Sequence, residues 1–141
     1  MDTTMKFSAA HAKDAVYKEG GLRSCFEYRD LGIAEATGGK AMAHIVRAKP
    51  GPHGGFGWHR HHLDFQMYYV LRGWVKFDYE GVGVVTAEAG SCVHQPPGIR
   101  HAELDHSDDL ELIEITLPGS FETVETAAPA AARRAEPAPV K

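Results

Sequence analysis

His59-Arg60-His61 is the first spacing in the chain that could do chemistry. In an extended strand residues i and i+2 project from one face, so the two imidazoles would point together. Gln66 follows five residues after His61 and heads the run Gln66-Met67-Tyr68-Tyr69-Val70-Leu71, and His101 comes far downstream, just past Pro96-Pro97-Gly98-Ile99-Arg100. Three neutral imidazoles and one amide oxygen would bind a divalent metal and leave coordination positions for water or substrate. Nine of the 141 residues are histidine, and eight of those lie between His44 and His106, which strengthens a metal or proton-transfer reading.

Other residues could move protons beside such a site. Glu114 interrupts the apolar run Leu112-Ile113-Glu114-Ile115. Turned inward among apolar groups, its carboxyl would have a raised pKa and could serve as general acid or base, whereas turned outward it would be an ordinary solvated charge. Tyr68 shares parity with Gln66, so its phenol is a candidate donor to a substrate oxygen or a packing residue. Of His94 and Gln95, one should face the interior, and parity does not say which. His62 should point away from His61 to the rim, and His53 sits in a Pro/Gly loop where a solvated histidine is expected.

The elements that must position these residues read as short strands: 26–29, 41–48, 65–71, 74–79, 82–87 and 110–117. β-Branched and aromatic residues dominate them, and Gly38-Gly39, Pro50-Gly51-Pro52, Gly73, Gly81, Gly90 and Pro96-Pro97-Gly98 punctuate them. Trp74, Lys76 and Asp78 alternate with Val75, Phe77 and Tyr79, giving one wet face and one buried face. No helical pattern long enough to cross over a parallel sheet intervenes, so the expected class is an all-β barrel or sandwich. Residues 1–25 have no strong period and are expected to form an arm or a short helix around His11 to Lys18. The barrel is expected over 26–121, and the Ala/Pro-rich stretch 122–141 is expected to be a disordered tail.

Two spacings resemble the motifs of the cupin superfamily. His59-x-His61-x4-Gln66-x6-Gly73 is similar to the first, and Gly90-x5-Pro96-x-Gly98-x2-His101 matches the second through its histidine. The first departs in lacking a clean opening glycine and in carrying Gln66 where glutamate is usual; in the second, Asp105 replaces a usual asparagine. The resemblance spans about residues 40–118 and implies a double-stranded β-helix, the jelly-roll barrel of a small single-domain cupin. It also implies that the metal, of identity Fe, Mn, Ni or Zn, is held by His59, His61, Gln66 and His101, since some uronate-processing and polyketide-cyclising cupins use glutamine at that position. A homodimer is implied as well, because small cupins commonly pair through sheet edges and N-terminal strands.

With glutamine in place of glutamate the full +2 of the ion would remain for water or substrate to offset, which favours an anionic bidentate ligand. Fold does not choose an activity among cupins. The leading expectation is an Fe(II)-type dioxygenase acting on an oxygenated or anionic small molecule. Alternatives are a metal-dependent isomerase, lyase or cyclase of a sugar acid or carbonyl metabolite, with Glu114 or His94 moving a proton, and a non-catalytic ligand-binding or sensory barrel.

Composition narrows the partners. Charged residues make up 24% and the net charge is -4; without the stretch 127–141, which holds three basic residues and one acidic, the body is more acidic still. That balance argues against nucleic acid, whose binders carry a basic patch. No apolar run reaches membrane-spanning length and the first residues do not read as a secretory signal, so a cytoplasmic protein is expected. Cys25 and Cys92 lack a C-x-x-C spacing and read as reduced thiols, with a single bridge between them as the alternative.

Overall fold

The computed structural model describes residues 5–20, 23–51 and 55–130. Eleven strands hold about half of the described residues: β1 Lys18–Gly20, β2 Arg23–Asp30, β3 Met42–Ala48, β4 Phe56–His62, β5 Phe65–Arg72, β6 Trp74–Tyr79, β7 Gly83–Glu88, β8 Cys92–His94, β9 His101–His106, β10 Glu111–Leu117 and β11 Glu122–Glu125. They form two antiparallel sheets, one ordered β1-β2-β3-β10-β5-β8 and the other β11-β4-β9-β6-β7. Neighbours in each sheet are largely non-consecutive in the chain, and these crossovers between the layers wind the protein into the double-stranded β-helix, or jelly roll. The all-β expectation holds.

The pleat decides what enters the space between the sheets. On β5, Gln66, Tyr68 and Val70 are buried while Tyr69 and Leu71 are exposed. On β6, Val75 and Tyr79 point in, as the alternation required. Val70, Val75, Ala87 and Leu110 close the apolar end of the interior together with Phe26 and Val46. Packing of that end supplies the hydrophobic contribution that an otherwise polar barrel needs.

Several boundaries differ from the sequence reading. The N-terminal arm carries a single 3-10 turn, Ala12–Asp14, and not a longer helix, and β2 starts before residue 26. The tail was expected to be disordered from residue 122, but Glu122–Glu125 pair with β4 as an edge strand. Two acids and a threonine hide that strand in the sequence, since an edge strand needs only half its surface covered. His101–His106 was also not expected as a strand, although it is the centre of the five-stranded sheet. Its two buried acid-base residues, Glu103 and His106, satisfy each other at 2.8 Å. Cys25 and Cys92 are both free thiols, on strands β2 and β8 toward opposite edges of the six-stranded sheet. Among the described residues no helix is long and apolar enough to cross a membrane.

Two glycines are needed for space. Gly55, at the entrance to β4, lies against the backbone of Glu103 and Leu104, where any side chain would collide. Gly73 joins β5 to β6 with φ +72°, and a Cβ there would meet Ser107, Asp109 and Leu110. Gly73→Ala is therefore expected to destabilise the fold by about 1–3 kcal/mol in urea unfolding, through positive-φ strain and collision together. Gly57→Ala, with open space around its Cβ, is expected to stay within about 0.5 kcal/mol of the parent.

Candidate metal centre

β4 supplies His59 and His61 on one face, and β9 begins with His101, whose Cα pairs directly with that of His59. The ring centroids of His59 and His101 lie 4.3 Å apart, and His61 is 5.0 and 5.1 Å from the two. One ligand nitrogen from each falls within 4.8 Å of the others. His59 and His101 are buried, at 4% and 2% exposure, with His61 half-buried.

The tautomers are fixed by neighbours. His59 Nδ1 donates to the Gly57 carbonyl at 2.8 Å and His101 Nδ1 to the Ile99 carbonyl at 3.0 Å. A carbonyl only accepts, so each ring carries its proton on Nδ1 and its lone pair on Nε2, the form that ligates a cation. His61 Nδ1 lies 2.8 Å from Thr123 Oγ1 on β11, which gives the unanticipated edge strand a part in orienting the site. Three neutral imidazoles converging in this way fit a divalent transition metal.

Gln66 enters the same cavity from β5. Its Nε2 donates to Glu114 Oε2 at 2.6 Å, while Glu114 Oε1 meets His44 Nε2 at 2.7 Å. Because a carboxylate has only acceptors, the amide must turn its nitrogen to Glu114, and its oxygen is left on the opposite branch. Glu114 does point inward, yet its pKa is not raised as the sequence suggested. Burial pushes it up, but the hydrogen bond and charge of His44 and the Gln66 amide together hold it below the ordinary carboxylate value. The expected undiminished +2 is corrected by the same contact, since a carboxylate stands one hydrogen bond behind the neutral Gln66.

The remaining candidates separate cleanly. Tyr68 lines the cavity, with its hydroxyl 3.0 Å from that of Tyr79. His94 is exposed and stacks on Phe65, so it does not reach the site; the residue that turns inward is Gln95, 3% exposed and bonded to Tyr79. His62 is at the rim beside Glu122, as expected. His53 lies outside the described residues. Sequence reasoning gave no role to His44, and the only available signal was its parity with Val46 on β3. Its partner was hidden because β3 and β10 pair across 70 residues of chain. The cavity holds about 310 Å³, polar where the histidines and the two glutamines meet and apolar toward Val75, Leu110 and Leu112.

The sequence profile of the cupin domain matches residues 45–116. The chain belongs to the cupin family. Solved structures share the fold at low identity. The polyketide cyclase RemF from Streptomyces resistomycificus superposes with a TM-score of 0.69 at 14% identity, covering 89% of each chain. KdgF from Halomonas sp. gives 0.64 at 18% identity over 80% of this cupin and 94% of that chain. A predicted oxalate decarboxylase from Thermotoga maritima gives 0.64 at 22% identity over 79% and 99%. No curated protein matches the chain.

His59→Ala or His101→Ala is expected to remove the metal from protein purified without chelator, while His62→Ala leaves it in place. Elemental analysis of the three variants measures this, and undiminished metal in His59→Ala would contradict the site.

Proposed function

We propose that this cupin is a metal-dependent enzyme that moves a proton on a small oxygenated anion, in an isomerisation, cyclisation or related lyase reaction. The observation that carries the reading is Glu114, a carboxylate facing the same cavity as the three histidines and clamped by His44 and Gln66. His59, His61, His101 and Gln66 would hold the ion. When bound, a divalent metal supplies Lewis-acid polarisation of a substrate oxygen.

The chain's own groups account for the rest. A C–H bond beside a carbonyl breaks with its proton passing to a Glu114 oxygen; its electron pair forms the C=C bond while the carbonyl π pair moves to oxygen, giving an enolate. Return of that proton to another position completes an isomerisation. His44, held at Glu114 Oε1, keeps the carboxylate oriented through the transfer. Val75, Phe77 and Leu112 line the cavity and would shield the reacting carbon from water. A polyketide cyclase and a predicted oxalate decarboxylase among the similar folds support a carbonyl-bearing substrate.

Proton exchange tests this directly. Protein loaded with Mn(II) or Zn(II) is expected to catalyse exchange of the methyl protons of pyruvate in D2O, followed by NMR. Glu114→Gln should slow exchange by about 10²-fold or more with metal content unchanged. Absence of exchange overturns the reading, and oxygen consumption by the Fe(II)-loaded protein in its place points to a dioxygenase.

The proposal includes a cytoplasmic homodimer. Tyr69, Leu71 and Leu117 stand exposed on the outer face of the six-stranded sheet, where a second copy would cover them. Light scattering is expected to give twice the 15.4 kDa chain mass; a single-chain mass overturns the dimer.

A further inference from the structure

Gln95 occupies a place in the cavity that the proposed reaction has not used. Tyr79 donates its hydroxyl proton to Gln95 Oε1 at 2.6 Å. A phenol has one proton, so in the 3.0 Å contact between Tyr68 and Tyr79 the donor must be Tyr68. The chain Tyr68 to Tyr79 to Gln95 thus consumes both phenolic protons and ends on the amide oxygen. Tyr68, a candidate donor to substrate on sequence grounds, has no second proton to give.

The consequence falls on the other branch of the amide. With Oε1 fixed on Tyr79, Gln95 Nε2 is the group that faces the cavity the residue lines. No acceptor among the described residues meets it. Gln95 also sits beside the candidate centre: its backbone N–H donates to the Gln66 carbonyl at 3.0 Å, and the Tyr79 ring lies 5.8 Å from that of His101. The two glutamines are therefore set in opposite senses. Glu114 turns the oxygen of Gln66 away from itself, and Tyr79 turns the nitrogen of Gln95 away from itself. Burial raises the pKa of both phenols, so the relay keeps its protons and its direction throughout the ordinary pH range.

We infer that Gln95 is the specificity-determining donor of this site, its amide nitrogen binding the second oxygen of a ligand that carries oxygens on two adjacent carbons. Tyr79 and Tyr68 are positioning residues, acting through the amide. The ligand class is a 2-oxo or 2-hydroxy carboxylate, or the enolate formed from one. This rests on the metal-site reading above. Once a bound ligand shuts it off from water, a donor of this kind discriminates strongly, because a ligand without the matching oxygen leaves it unsatisfied.

The test uses Co(II)-loaded full-length protein, calorimetric titration with pyruvate, and acetate as the ligand lacking the adjacent oxygen. Gln95→Leu is expected to weaken pyruvate binding by about tenfold and leave acetate within about twofold. The isosteric Gln95→Glu, which puts an acceptor where the donor was, should weaken pyruvate at least as much. Tyr79→Phe should weaken it by about threefold, since the amide remains and only its orientation is released. Co(II) stoichiometry and its visible spectrum should match the parent in all three. Pyruvate affinity within twofold of the parent in both Gln95→Leu and Gln95→Glu, or no pyruvate binding by the Co(II)-loaded parent, overturns the inference alone. Failure of the parent to take up Co(II), read before any ligand is added, overturns the metal site and this inference with it.

Discussion

A polar group turned into the barrel must find a partner there, because an unpaired buried donor or acceptor costs on the order of 1–3 kcal/mol and an unpaired charge more. The pleat turns alternate residues of β5 inward, while irregular registers on β4 and β9 bury adjacent residues there as well. The interior consequently contains matched sets. Glu114 is held by His44 and Gln66, Glu103 by His106, Gln95 by Tyr79, and two of the three clustered histidines by backbone carbonyls.

Those partners do more than satisfy. Carbonyls and carboxylates accept and never donate, so each one assigns an orientation to whatever faces it. The Gly57 and Ile99 carbonyls give His59 and His101 their tautomer. Glu114 gives Gln66 its amide orientation, and the single proton of Tyr79 gives Gln95 the opposite one. A cavity of about 310 Å³ is thereby lined with lone pairs on one side and an N–H on another before any ligand arrives. Fixing these directions in advance is how a small site orients a ligand without paying to reorganise at the moment of binding.

Competition between effects is clearest at Glu114. Burial is the largest single influence on its pKa and works against ionisation, yet several partners acting together reverse the sign. A sequence shows the apolar neighbours Leu112, Ile113 and Ile115 but not His44, which is 70 residues away, so the desolvating influence was visible and the compensating one was not. The same blindness hid β9 and β11. Their acidic sequences look like loops, and only the pairing of β9 with β4 and β6, and of β11 with β4, places them in a sheet.

The three clustered histidines were legible because local rules place them. His59 and His61 share a face by the two-residue period of a strand, and the Gly90, Pro96 and Gly98 turn delivers His101 at a spacing that belongs to one family of barrels. Strand alternation also put Gln66 and Tyr68 inside. The choice between His94 and Gln95 could not be made in this way, since the chain leaves β8 between them and local parity ends there. Nor could the sequence say where the protons sit. Its linear order determined which chemical groups the cavity would contain; contacts between strands distant in the chain decided which way each group faces and what charge it carries, because hydrogen-bond direction is a property of pairs and the pairs are made only by the tertiary fold.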